Sequence, residues 1–358
     1  MSNQYVKWND ADVEPKIEDE DGKIKQLCDL ANKIQQRNFA HHRHGFRTTH
    51  VKTQAIVKGS MTVTSDLPQH LAQGIFKKGG STYPLGIRYA NEPIFLGDDR
   101  APGPRGCGMK VFGVDGPGDF LDSAGEQTHT QDFTFNNAPL LELTDLPTTL
   151  EIFTLREKYF DDPDKLSEEV GKRKDKDLQF APAQLPNQHF LSYTMYSQSA
   201  YRYGDCVAKY ALFPTGKFQQ DLAEQAKITD KSDHEQHSIW LRDYFTSNDA
   251  EFDFRIQLCQ NLEQQPVEDT SQPWDEERYP FETVAKVTLA KGQDVFESKR
   301  RAFWDDNMKL NTWYGLEQHQ PLGSVNRLRK TLYQASVKKR EELNANKTVL
   351  VKDIDQIP

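Results

Sequence analysis

Through the middle of the chain apolar and polar residues alternate, and toward both ends the pattern lengthens to a helical period. Val51, Ala55, Val57, Met61 and Val63 fall on every second position or a multiple of it, the pattern of a half-buried strand. Pro84 to Ala90 reads as a second strand, and a glycine-rich turn from Pro102 to Gly108 opens onto a third that runs to Phe112. Gln131 to Leu143 is extended, Phe190 to Phe213 is a hairpin broken at Gly204-Asp205, and Phe252 to Leu262 and Thr283 to Leu289 are further strands. Helical spacing covers residues 23–38, with Ile24, Leu27, Cys28, Ala31 and Ile34 on one face. It returns in Leu67 to Phe76, in a charged connector from Pro147 to Lys174, and in one long segment from Ser324 to Asn344. This many strands without crossover helices favour an antiparallel sheet closed into a barrel, an α+β fold with surrounding helices. The chain divides into an acidic N-terminal arm and helix over 1–37, one domain over 38–345, and a tail over 346–358. The acidic residues before position 24 predict a loosely held arm.

Composition narrows the partners. A hydrophobic fraction of 36% is low, but 20 Phe, 13 Tyr and 5 Trp supply bulky core material. A net charge of -9 argues against nucleic acid or an anionic membrane as a general partner, since both select basic surfaces. No apolar run reaches the length of a membrane span and the N-terminus has no apolar signal core, which points to a cytoplasmic protein. Cys28, Cys107, Cys206 and Cys259 are far apart and read as free thiols in a reducing compartment. His41, His42 and His44 cluster without a carboxylate or cysteine at ligand spacing, and read as a solvated or interface loop. The glycine-rich turn is not followed by Gly-Lys-Ser/Thr, so it is no P-loop.

Two places carry candidate chemistry. His50 stands at the head of the first strand, where the ladder can hold its backbone while the ring serves as an acid or base. In the last helix Arg329, Tyr333 and Arg340 fall within about 40° of one another at 100° per residue, so they share a face. A guanidinium one turn away favours ionised tyrosine, and tyrosinate is a hard ligand suited to ferric iron.

Together these segments resemble the haem-dependent catalase superfamily. The matching elements are Arg47-Thr48-Thr49-His50 with Lys52 after it, Arg88 on a strand, and Pro104-Arg105-Gly106 with Lys110 on the next. Asn136-Asn137-Ala138-Pro139 and the Arg329, Tyr333, Arg340 helix complete the set, in order over some 300 residues. The resemblance implies a catalase-like antiparallel β-barrel enclosing haem b, with ferric iron ligated by Tyr333. It implies that Arg47, Arg88 and Arg340 bind the haem propionates, that Arg329 supports the tyrosinate, and that His50 and Asn136 act on a hydroperoxide. Aromatics at Trp304, Trp313 and Tyr314, together with the oligomeric habit of the short relatives, suggest a homodimer.

The departures from the catalase pattern modify the function it implies. Catalases have a serine where Ala90 stands, and a valine and an aspartate where Glu92 and Gly103 stand; Leu141-Glu142-Leu143-Thr144-Asp145 replaces Phe-Phe-Ile-Arg-Asp. Thr49 beside His50, and Ala90-Asn91 after Arg88, are instead similar to coral allene oxide synthase and the small catalase-related haemoproteins, as is the absence of long terminal extensions. That likeness implies a peroxidase or hydroperoxide-rearranging enzyme for organic or fatty-acid hydroperoxides, with a small reducing co-substrate for the peroxidase case. Thr49 is then a residue that detunes His50 for hydrogen peroxide, and Leu141 and Leu143 are expected in the pocket wall. The alternatives are a true catalase and a non-catalytic haem-binding or sensor protein.

Overall fold

The structure, a computed structural model, describes residues 5–115, 120–121 and 129–358. Its frame is an antiparallel barrel. Strands β1 (Lys52–Val63), β2 (Thr82–Asn91), β3 (Arg105–Val111) and β4 (Gln131–Asn136) form one half as successive neighbours. Strands β5 (Met195–Tyr196), β6 (Tyr201–Tyr203), β7 (Cys206–Pro214), β8 (Ala250–Leu258) and β9 (Glu282–Leu289) form the other, with β1 against β9 and β5 against both β4 and β7. The β5–β7 pairing closes the ring, while β6 extends β7 as a hairpin whose turn is Gly204-Asp205, with Gly204 at φ 60°.

Alternation decides what each strand face meets. Val57, Met61, Ile87, Met109, Phe133, Tyr210, Leu212 and Phe254 point inward and fill the barrel with side chains. Each such fully buried side chain contributes about 1.5–3 kcal/mol. The outer face of β2 and β3 is bare at Gly86, Gly106 and Gly108. A Cβ at Gly86 would lie 2.7 Å from the Trp304 ring, and one at Gly108 3.0 Å from Leu310, so the segment 303–310 lies directly on the strands.

Helices wrap this barrel. They are α1 (Glu20–His42), α2 (Leu146–Lys158), α3 (Pro163–Gly171), α4 (Lys176–Phe180), α5 (Lys217–Gln225), α6 (Gln236–Ser247), α7 (Ser298–Ala302) and α8 (Ser324–Asn344). Leu27, Ala31 and Ile34 of α1, Phe153 of α2 and Leu328 and Leu332 of α8 form a second core. The N–H groups at the start of α8 meet carboxylates, Gly323 N donating to Glu14 Oε1 and Ser324 N to Glu268 Oε2, both at 2.8 Å.

Several expectations change. Residues 5–19 are docked: Val13 is buried, Arg202 lies over the Trp8 ring, and Glu14 pairs with Arg327. Their acidity supplies partners for arginine, where a solvated arm was expected. Leu67 to Phe76 forms only a 3-10 turn at Gly74–Phe76, because Gly74 takes φ 51°. The extended run from Gln131 stops at Asn136, and Asp145 of the Leu141–Asp145 segment caps α2 through the Thr148 N–H at 2.8 Å. The charged connector is two helices, α2 and α3, and α1 runs on through His41 and His42. His41 pairs with Asp161 and His44 with Asp306. Trp304, Trp313 and Tyr314 are buried within the chain and supply no aromatic dimer surface. No helix among the described residues is long and apolar enough to cross a membrane.

Candidate active site

Between the outer face of β2, β3 and β4 and the inner face of α8 lies a cavity with about 990 Å³ of empty space out to its mouth. The barrel therefore encloses the site from one side only; its own interior is packed. Arg47, Thr49, His50, Arg88, Asn136, Arg329, Tyr333 and Arg340 all line it, brought together from the β1 approach, β2, β4 and α8. Leu141 and Leu143 do not; the apolar wall is Trp304, Met308, Leu310, Leu332 and Val337. Lys52, Arg105 and Lys110 also lie elsewhere. Lys52 pairs with Asp99, Arg105 donates to His237 Nε2 at 3.1 Å, and Lys110 forms a fully buried pair with Asp132. These motif residues brace the scaffold.

One carboxylate unnoticed in the sequence organises the arginines. Asp305 Oδ1 accepts from Arg47 Nη1 and Arg88 Nε, both at 3.0 Å, and from Thr53 Oγ1 at 2.7 Å. Burial would raise the Asp305 carboxyl, but Arg88 and Arg47 outweigh it and hold it below its ordinary value. Its only sequence signal was an Asp-Asp pair after Trp304, in a stretch read for its aromatics. Arg47, Arg88 and Arg340 are each lowered to about 10, by burial first and by one another second for Arg47 and Arg88, and remain charged at neutral pH. Asp306 is engaged by His44. Arg47 and Arg88 thus share Asp305, and Arg340 stands within the field of Asp305 and Asp306, so guanidinium charge outnumbers the carboxylate charge around it. Arg340 donates one bond to Met308 O at 3.2 Å, and its Nε is buried without a partner among the described residues. A buried orphan donor beside uncompensated charge fits an anionic cofactor with two carboxylates, as haem b has.

On α8, Arg329 is anchored by Ser199 Oγ at 3.0 Å and Asn326 Oδ1 at 2.9 Å, one turn before Tyr333. Thr48 Oγ1 donates to Ser336 Oγ at 3.1 Å, tying the approach to β1 to the next turn of the helix. Asn136 accepts the Asn137 N–H at its Oδ1 at 2.8 Å, which leaves its Nδ2 hydrogens to donate.

His50 has φ 52°, a left-handed conformation that histidine tolerates better than most residues. Its N–H donates to Glu92 O at 2.9 Å and its carbonyl accepts Arg88 Nη2 at 2.7 Å. Enclosure in protein lowers its imidazole to about 4; Glu92 and a bond to the Ala90 carbonyl oppose the shift, and Arg88 and Arg329 add to it. The ring is neutral at pH 7. Ala90 has no hydroxyl, yet its backbone does hold the ring, a partner that side-chain reasoning missed. The Thr49 hydroxyl makes no hydrogen bond to a described residue. Glu92 is paired with Arg156 at 3.2 Å beside Glu142.

No protein-family model matches the sequence, and no curated protein matches it. The fold is shared with solved catalases. A fungal catalase superposes with a TM-score of 0.61 at 15% identity, over 88% of this chain and 65% of that one. For catalase A from Saccharomyces cerevisiae the values are 0.62, 14%, 95% and 68%, and for a bacterial catalase 0.57, 12%, 97% and 65%. The chain spans about two thirds of the length of these catalases. At such identities the likeness is one of fold.

Proposed function

We propose that the protein is a haem-dependent oxidoreductase that reacts with hydroperoxides, organic or fatty-acid ones in preference to hydrogen peroxide, as a peroxidase or rearranging enzyme. The observation that carries this reading is the meeting of Tyr333, three under-compensated arginines, His50 and Asn136 around one cavity. Tyr333 would hold ferric iron through its phenolate oxygen, and Arg47, Arg88 and Arg340 would hold the two propionates of haem b. When bound, haem supplies the iron at which the peroxide bond is cleaved. The rest falls to the protein. His50, neutral at pH 7, takes the hydroperoxide proton on its free ring nitrogen and returns it to the departing oxygen. The Asn136 amide donates to the same oxygens, and Leu310, Leu332 and Val337 exclude water beside them.

His50→Ala is expected to slow the hydroperoxide step by roughly 10²- to 10⁴-fold, the scale of a positioned proton-transfer group. The deciding experiment mixes the ferric haem protein separately with hydrogen peroxide and with a fatty-acid hydroperoxide, following oxygen release, dye oxidation and products. Organic turnover with little oxygen supports the proposal. The second reading, dismutation of hydrogen peroxide, is favoured by the catalase fold, and oxygen release near the diffusional ceiling would establish it instead.

A further inference from the structure

The His50 ring lies against β3 at a position where any side chain would collide with it. A Cβ on Gly106 would stand 2.4 Å from His50 Cε1 and 2.8 Å from Nδ1, so the Nδ1–Cε1 edge faces the strand. Gly106 is the cross-strand partner of Ala90, whose carbonyl accepts the ring's hydrogen bond. His50 cannot relax through its backbone, because its N–H is bonded to Glu92 O and its carbonyl to Arg88.

We propose that Gly106 is a positioning residue: with Ala90 it forms a seat that holds the His50 imidazole against β2 and β3 with its proton on Nδ1 and its Nε2 lone pair offered to the cavity. The argument is one of donors and acceptors. A carbonyl oxygen only accepts, so the nitrogen at the sheet must carry the proton, and in the neutral ring the other nitrogen then carries the lone pair. A hydroxyl partner could donate or accept and would allow either tautomer. Here the proton that His50 takes at Nε2 also has to leave from Nε2. The seat stands on the geometry of β2 and β3; its catalytic consequence rests on the proposed function.

Two-bond proton–nitrogen spectra of ¹⁵N-histidine-labelled apo protein at pH 7 test it, with the His50 signal identified by its loss in His50→Gln. The expected wild-type pattern is a single Nδ1–H tautomer. Gly106→Ala should displace the ring and change that pattern, and in the haem-loaded enzyme lower kcat for the hydroperoxide by about 10²-fold, the cost of an ångström of misplacement, with haem content unchanged. Gly108→Ala is the control on the same strand face, because its Cβ meets only the tip of Leu310, and it should leave the His50 signal as in wild type. A wild-type His50 in the Nε2–H form or as a mixture overturns the proposal even if Gly106→Ala does not fold, and so does an unchanged His50 signal in a folded Gly106→Ala. If the spectra are as expected but no hydroperoxide is turned over, the seat stands and the functional reading falls.

Discussion

Replacing the Tyr333 hydroxyl by hydrogen removes one oxygen atom and should remove the cofactor's anchor. Tyr333→Phe is expected to lose haem or to bind it with an altered ferric spectrum, since phenylalanine has no anionic oxygen. Arg329→Ala should act in the same direction but less severely, because it takes away a stabilising charge and the bonds to Ser199 and Asn326 while leaving the oxygen. Haem content and absorbance decide both, and an unchanged Tyr333→Phe spectrum would remove the proximal assignment. Thr49→Val tests the detuning role: it should raise oxygen release from hydrogen peroxide relative to organic turnover, and equal ratios would dismiss it. That role does not run through a bond to the His50 ring, because the Thr49 hydroxyl bonds no described residue. Residues that share a face by period, such as Arg329 and Tyr333, were legible in the sequence because spacing alone places them. Asp305, the Ala90 carbonyl and Gly106 were not. Each acts through a partner brought close only by the fold, and two of the three act through backbone or through the absence of a side chain.

The turn Phe303–Asn307 carries Asp305 onto the outer strands, and its charge holds Arg47 and Arg88 together. Asp305→Asn is expected to destabilise the apo protein by about 2–3 kcal/mol, the scale of a charged hydrogen-bond set lost from a largely buried site. The haem-bound protein should lose less, because the propionates supply the missing charge. Chemical denaturation of both forms measures the difference, and equal losses would mean that these arginines do not meet the cofactor's carboxylates. Among the elements themselves, the long alternating strands and α8 were legible from period. Helices α5 and α6 were not, for different reasons. In α5 only Gln219 and Leu222 are buried, too few for a stripe. The start of α6 is fixed from far away, with the His237 N–H donating to Asp99 Oδ2 at 2.9 Å. Asp99 also holds Lys52, Gln54 and Asn91, so one buried carboxylate joins α6 to the two strands that frame His50.

Across the whole molecule, three buried histidines serve as hydrogen-bond acceptors and set its tolerance of acid. His319 Nε2 accepts the Ile75 N–H at 3.1 Å, His189 Nδ1 accepts the Leu191 N–H at 3.2 Å, and His237 Nε2 accepts from Arg105. Protonation would set a donor against each of these donors. Burial lowers His189 to about 4 and His319 to about 3, and pushes His237 well below its ordinary value, with Arg105 adding to that shift. An unfolded imidazole titrates near 6.5, so between about pH 6.5 and 4 the unfolded chain binds protons that the folded chain refuses, and stability falls as pH falls. At pH 5 His189, His319 and His50, itself lowered to about 4, have each cost about 2 kcal/mol, about 6 together and comparable with the 5–15 kcal/mol that holds a typical domain folded, and His237 acts in the same direction. Glu142 and Asp132, whose carboxyls burial raises, bind protons more readily when folded and oppose the trend. The buried histidines outnumber these two carboxyls, so the balance is a loss of stability toward acid. The apo protein is therefore expected to lose stability as pH falls below 7 and to approach unfolding near pH 5. His319→Gln, which keeps an acceptor for Ile75 without a titrating ring, should reduce the pH slope in this window by about one proton. Urea denaturation at pH 8, 7, 6 and 5 measures that slope, and a flat profile down to pH 5 would show that these rings are protonated in the fold.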